Sequence, residues 1–149
     1  MNKPVALACD AAGLDLKNEI KKHLEERGIA CEDVGTYTGE SCDYPDYAKL
    51  GCEAVLSGRC EVALLFCGTG VGMSIAANKI HGIRACCCSD VFSAELTRRH
   101  NNANALCLGG RVVGPGLAAK LVDAFLDAPY EGGRHQRRID KITELEAAR

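Results

Sequence analysis

The sequence predicts an α/β protein with a doubly wound, five-stranded parallel sheet and helices on both faces. Short apolar runs without polar alternation, typical of strands buried on both faces, recur along the chain. Between them lie amphipathic segments whose apolar residues recur at helical spacing. Parallel strands need crossover connections, and these are right-handed, so the alternation predicts an open sheet covered by helices on each side.

Most predicted strands are short apolar runs, and glycines close two of the predicted helices, at Gly28 and at Ser57-Gly58. The predicted strands are residues 5–9, 29–34, 62–66, 84–88 and 105–108. The predicted helices are residues 14–27, 47–56, a short helix ending at Asn78, and residues 91–100, 117–126 and 136–148. No strand follows the last helix, so we expect it to pack on another subunit.

Length and composition predict one domain over residues 1–149. Hydrophobic residues make up 47% of the chain, enough to bury a core, and the net charge of −2 argues against wholesale nucleic-acid binding. No apolar run approaches the ~20 residues of a membrane helix, and the N-terminus lacks the pattern of a signal peptide. We therefore expect a cytoplasmic protein that contacts neither nucleic acid nor membrane.

The chain contains ten cysteines, most of them inside apolar runs. No C-x-x-C pair is present, which removes the commonest spacing for a zinc site. We interpret most of these cysteines as small buried hydrophobic side chains. Cys67 differs from the others because it comes directly before a cluster of glycines.

The segment Cys67-Gly68-Thr69-Gly70-Val71-Gly72 is the strongest local signal for function. It follows a predicted strand and opens a predicted helix, whose free N–H groups favour an anion and would stabilise a thiolate. One site of this kind can hold both a base and an oxyanion. A tight turn with a buried cysteine explains the same residues, and the pattern matches neither a Walker A loop nor a dinucleotide-binding loop.

Five polar residues are further candidates, each with an ordinary alternative. Asp10 ends the first strand and either contacts a ligand or caps the next helix. His100 is either a proton donor or a solvated residue at a helix C-terminus. Arg111 is an anion ligand or a surface charge. Arg134 and Arg138, four residues apart on one helical face, suit a phosphate, although a solvated basic turn explains them too.

In combination and order, these segments resemble ribose-5-phosphate isomerase B and the galactose-6-phosphate isomerase subunits. The resemblance spans nearly the whole chain and rests on residues 9–10, 43–45, 67–79, 82–85, 99–101, 109–114 and 130–135. It implies a Rossmann-like fold and a metal-independent aldose–ketose isomerisation through a cis-enediolate, without a cofactor. Ribose 5-phosphate and ribulose 5-phosphate are the implied substrate pair.

The resemblance also implies roles for individual residues. Cys67 would be the base that moves a proton between C1 and C2, Thr69 would help to hold the enediolate oxygen, and His100 would open the sugar ring. The implied substrate contacts are Asp10, Asn101, the loop residues Gly68, Gly70, Val71 and Gly72, and, around the phosphate, Arg111, Arg134 and Arg138. The implied assembly is a homodimer or a dimer of dimers in which His100 serves the partner's Cys67.

Two positions bear on the choice of reaction and substrate. Met73 stands where some family members carry a glutamate base, which favours the cysteine branch. Ala11 stands where the family usually has a histidine near the phosphate. The alternatives are therefore an isomerase for another sugar phosphate, such as allose or galactose 6-phosphate, or a non-catalytic sugar-phosphate-binding module. The third alternative is a nucleotide- or flavin-binding protein, but the chain lacks the dinucleotide-binding fingerprint that such a protein would need.

Overall fold

A computed structural model describes residues 1–149, and its five strands form one parallel sheet. The strands are β1 (Val5–Cys9), β2 (Cys31–Asp33), β3 (Ala63–Cys67), β4 (Ala85–Cys87) and β5 (Ala105–Gly109). They pair in the order β2-β1-β3-β5-β4, and all four neighbouring pairs are parallel. The predicted doubly wound fold is confirmed.

Six helices accompany the strands. They are α1 (Leu14–Glu26), α2 (Tyr44–Leu56), α3 (Val71–Ala77), α4 (Val91–Asn101), α5 (Pro115–Asp127) and α6 (Arg134–Ala147). None of them has the length and apolar character that a membrane crossing requires. The first five helices follow their strands in sequence, and α6 is the additional C-terminal helix that the sequence predicts.

The sheet separates two apolar cores because successive side chains of a strand point to opposite faces. In β1, Leu7 belongs to the larger core of 19 buried residues, beneath α1, α4 and α5. Its neighbours Ala6 and Ala8 belong to a second core of 14 buried residues, beneath α2 and α3. The second core is rich in alanine and cysteine, so α2 packs closely on the sheet.

The edge strands are shorter than predicted, for reasons visible in their hydrogen bonds. β2 was predicted from residue 29, but the Ile29 N–H donates to the Leu24 carbonyl and closes α1 instead. β4 was predicted from residue 84, but the Arg84 N–H donates to the Asn104 side chain rather than to a strand. The helices α2 and α6 begin earlier than predicted, at Tyr44 and Arg134.

The topology fixes which residues can meet. Each crossover helix starts near the carboxyl end of one strand and returns the chain to the amino edge of the sheet. The C-terminal end of β3, with Cys67, therefore lies at the carboxyl edge, whereas the C-terminal end of α4, with His100, lies at the amino edge.

Candidate active site

Three loops meet at the carboxyl edge of the sheet: residues 10–13, 67–72 and 109–113. The backbones of the last two are joined by direct hydrogen bonds. The Gly110 N–H donates to the Cys67 carbonyl at 2.8 Å, and the Arg111 N–H donates to the Gly68 carbonyl at 3.0 Å. The loop after β3 is therefore held in place by the loop after β5.

Glycine is required where these backbones touch. A β-carbon on Gly109 would lie 2.6 Å from the carbonyl carbon of Thr69, and one on Gly70 would lie 2.9 Å from the backbone of Leu108. Gly70 also has a φ of +82°, which L side chains rarely adopt. The glycines of this segment thus serve close packing as well as any ligand.

The thiol of Cys67 is buried at the centre of this edge, with 4% of the residue exposed. The Gly70 N–H donates to Cys67 Sγ at 3.1 Å. Thr69 is exposed, and its Oγ1 accepts the Val71 N–H at 3.2 Å. Val71 and Gly72 are the first two residues of α3.

Asp10 and Arg111 flank this thiol. Asp10 Oδ1 accepts the Gly13 N–H at 3.0 Å, so the carboxylate fixes the turn before α1, and its Oδ2 has no hydrogen-bond partner within the chain. The N-cap of α1 is Gly13, so Asp10 caps the preceding turn rather than the helix, and its position is compatible with a ligand contact. The Arg111 guanidinium lies over Gly68, and a β-carbon added to Gly68 would be 3.5 Å from its Nη1. Arg111 forms no ion pair.

A second group of side chains lies at the amino edge, around the C-terminus of α4. The His100 ring stacks on the His135 ring, with centroids 4.2 Å apart and planes inclined by 10°. Glu131 faces both rings: its Oε2 is 3.4 Å from His100 Nε2, and its Oε1 is 3.8 Å from His135 Nε2. Arg99 donates from Nε to Glu131 Oε2 at 2.7 Å and anchors the carboxylate.

The electrostatics of this group follow from its partners. The hydrogen bond from Arg99 lowers the pKa of Glu131, so Glu131 is a carboxylate at neutral pH. Burial, and then the positive charges of His100 and Arg134, lower the pKa of His135. Asn101, Arg134 and Arg138 are exposed at the same edge, and neither arginine forms an ion pair.

The sequence-predicted site residues therefore fall into two groups. The first, with Cys67, Thr69, Asp10, Arg111 and the loop glycines, lies at the carboxyl edge. The second, with His100, Asn101, Arg134 and Arg138, lies at the amino edge. Five residues of strand span roughly 15 Å at about 3.3 Å per residue, so one chain does not bring His100 to Cys67.

Comparison with known proteins identifies the family. The family model described as Ribose/Galactose Isomerase matches residues 5–142. The chain belongs to the ribose/galactose isomerase family. It is 52% identical to the ribose-5-phosphate isomerase B of Escherichia coli K12, over 99% of both chains.

Solved structures of this family agree with the fold. The ribose-5-phosphate isomerase B of Clostridium thermocellum superimposes with a TM-score of 0.96 at 47% identity, over 97% of this chain and 98% of that one. The enzyme from Mycoplasma genitalium, solved with bound ribulose 5-phosphate, gives a TM-score of 0.94 at 42% identity, over 100% and 99% of the two chains. The predicted enzyme class, an aldose–ketose isomerase of the type B ribose-5-phosphate isomerase group, is confirmed.

Sequence reasoning missed several residues of the isomerase that support the two groups. Glu131 and His135 lie within a recognised segment, but their contacts with His100 depend on the fold. Lys17 is fully buried, and its Nζ donates to Asp33 Oδ1 at 2.7 Å and to the Thr36 carbonyl at 2.6 Å, which fixes the loop after β2. Its place on the apolar face of α1 is a signal that could have revealed it.

Proposed function

We propose that this protein interconverts ribose 5-phosphate and ribulose 5-phosphate by proton transfer between C1 and C2 through a cis-enediolate, without a metal ion. The ligand named for the M. genitalium relative and the name of the E. coli relative support this substrate pair. Family membership supports sugar-phosphate isomerisation in general. The assignment of each step to a residue is our own.

The observation that carries the proposal is the setting of Cys67. Its sulfur ends the central strand β3, and the Gly70 amide points at it from 3.1 Å. A thiolate held there can take the proton from C2 of the aldose and return it to C1. The exposed Thr69 hydroxyl and the Gly72 amide at the start of α3 would donate to the enediolate oxygen. The free Asp10 Oδ2 would accept a hydrogen bond from a sugar hydroxyl.

The second half of the reaction site comes, in this proposal, from a second copy of the chain. Ring opening needs a proton donor near the ring oxygen, and His100 lies at the opposite sheet edge from Cys67 in its own chain. In a homodimer, the amino-edge group of one subunit would face the carboxyl edge of the other. Arg134 and Arg138 would then meet Arg111 around the phosphate, and Asn101 would contact the sugar.

Cys67→Ser tests the proposed base. We expect the variant to fold normally and to lose at least about a hundredfold in kcat, because a serine hydroxyl is far less acidic than a thiol. Cys42→Ser, at a half-buried cysteine outside both groups, is the matched control and should keep its activity. Exchange of the C2 proton with deuterated solvent should disappear together with turnover. Near-normal exchange in Cys67→Ser would show that another group is the base.

A second candidate is isomerisation of a different sugar phosphate, and Ala11 favours it. The alanine methyl group supplies neither a hydrogen-bond donor nor a charge. With Ala11, the loop therefore leaves more room for a ligand and binds a phosphate less strongly than it would with a histidine. Comparing kcat/KM for ribose 5-phosphate with the values for allose 6-phosphate and galactose 6-phosphate decides between the candidates. A panel in which no sugar phosphate turns over but one binds would instead indicate a binding module.

A further inference from the structure

Two thiols at the edge strand β4 face each other: Cys86 lies within the strand, and Cys88 directly follows it. Cys86 Sγ and Cys88 Sγ are 3.2 Å apart. In an extended chain, residues i and i+2 point to the same side. No other pair of the ten cysteines brings its sulfurs into contact in this way. Cys88 is buried, and Cys86 is half-buried.

The pair is reachable by a small molecule. A cavity of about 470 Å³ opens between α4 and α6, and Cys86 lines it together with Arg84 and Thr97. The thiol pair therefore sits beneath an opening to solvent, although Cys88 itself is covered.

The contact also makes one sulfur the more reactive. Either thiol can donate to the other across this contact. With Cys88 as the donor, the shared hydrogen bond lowers the pKa of Cys86 to about 6 and raises the pKa of Cys88, and Cys86 is also the one of the two that lines the cavity. By contrast, burial raises the pKa of Cys9 to about 11 and that of Cys52 to about 12. Because the thiolate is the nucleophile, Cys86 stands apart from the buried cysteines.

Cys87, between the two, connects this pair to the candidate active site. Its side chain points to the other face of β4, and its Sγ donates to the Thr69 carbonyl at 3.6 Å. The same sulfur is 3.0 Å from the place where a β-carbon on Gly70 would lie. A change in the twist of β4 at residues 86–88 therefore moves an atom that packs directly against the loop 67–72.

We propose that Cys86 and Cys88 form a reversible disulfide when a hydroperoxide oxidises the protein, and that this bond displaces Cys87 from the loop 67–72 and lowers isomerase activity. The sulfurs need to close from 3.2 Å to about 2.05 Å. β4 lies at the sheet edge, and the Cys88 N–H donates to the Cys107 carbonyl over a long 3.4 Å, so little pairing resists the movement. A strained bond of this kind is also readily reduced.

The chemistry balances in two steps. The Cys86 thiolate attacks one oxygen of the hydroperoxide, the S–O bond forms as the O–O bond breaks, and the departing oxygen takes a proton as water or an alcohol. Cys88 Sγ then displaces the hydroxyl of the sulfenic acid, the S–S bond forms as the S–O bond breaks, and the hydroxide leaves as water with the Cys88 proton. The two thiols lose two electrons, which the peroxide gains.

Peptide mapping tests the bond independently of activity. Trypsin cleaves after Arg84 and Arg98, so one peptide carries Cys86, Cys87 and Cys88. After hydrogen peroxide and alkylation, we expect this peptide to lack two hydrogens and to carry one alkyl group, on Cys87, with full reversal by dithiothreitol. A bond between Cys87 and Cys67, or free Cys86 and Cys88 at a dose that oxidises Cys67, would overturn the proposal.

Activity tests the coupling to the loop. Reduced Cys88→Ser and Cys86→Ser should match wild type in kcat/KM, and after peroxide both should keep several-fold more activity than wild type. The loss that remains in the variants measures direct oxidation of Cys67, and substrate should prevent it. If the disulfide forms in wild type but peroxide lowers the activity of wild type and both variants equally, the proposed coupling between the disulfide and the loop 67–72 would be wrong. The peptide mapping tests the disulfide even if the proposed isomerisation of ribose 5-phosphate is wrong.

Discussion

The two edges of the sheet carry the candidate site residues in different ways. At the carboxyl edge, most of the contacts are between backbone atoms: glycines let the loops after β3 and β5 touch, and the Gly70 amide donates to the sulfur of Cys67. At the amino edge, most of the contacts are between long side chains: Arg99 holds Glu131, and the rings of His100 and His135 stack. In the proposed mechanism, the first edge would supply the base and the amides for the enediolate oxygen, and the second would supply the acid and cations for the phosphate. Neither edge alone has the groups for opening the ring, moving the proton and holding the phosphate.

This difference predicts that the carboxyl edge tolerates substitution poorly, because its loop backbones are in direct contact. Gly70→Ala places a β-carbon 2.9 Å from the backbone of Leu108 at a φ of +82°. We expect it to lower the free energy of unfolding by about 3 kcal/mol, from backbone strain and overpacking together. Thermal and urea unfolding measure the effect.

Gly116→Ala is the matched control for Gly70→Ala. It lies near the start of α5 with open space around its α-carbon, so an alanine there should be neutral or stabilising by up to about 1 kcal/mol. If Gly70→Ala were as stable as this control, the account of the loop as a close-packed segment would be wrong.

At the amino edge, single charges should matter for the ligand more than for the fold. Arg138→Ala should raise KM for the phosphorylated sugar by roughly ten- to a hundredfold, since a charge-assisted hydrogen bond contributes about 1.5–3 kcal/mol. Arg137→Ala, at an exposed neighbour on α6, is the control and should leave KM nearly unchanged. Equal effects in the two variants would indicate a general contribution of positive charge rather than a phosphate contact.

The smallest expected effect is on the pH dependence of stability. Burial, and then the charge of His100, lower the pKa of His135 below 6.5, although Glu131 opposes the shift. The unfolded chain therefore binds this proton first, so the stability from His135 is present above pH 6.5 and is lost as the pH falls below it. The fall in Tm between about pH 8 and about pH 5.5 should be smaller in His135→Gln than in wild type.

His81→Gln, at an exposed histidine, is the control for that comparison and should reproduce the wild-type fall in Tm. A wild-type fall in Tm that His135→Gln leaves unchanged would assign the pH dependence to other groups.

The sequence predicted the fold well because buried parallel strands and amphipathic helices leave strong periodic signals. It predicted the edge strands less well, since Ile29 and Arg84 use their N–H groups outside the sheet, which no local pattern reveals. Among site residues, those at the end of β3 and along α6 were found from motifs and resemblance. The stacking of His135 on His100 and the contact of Cys87 with Thr69 depend on elements distant in sequence.

The central claim is that a complete site needs the carboxyl edge of one chain and the amino edge of another. Mixing Cys67→Ser with His100→Ala subunits tests it most directly, because each heterodimer would contain one site with both wild-type residues and one site with neither. Random exchange of equal amounts makes half of the dimers heterodimers, so activity should recover to about a quarter of wild type. Activity that stays at the level of the separate variants after exchange is complete would contradict the account.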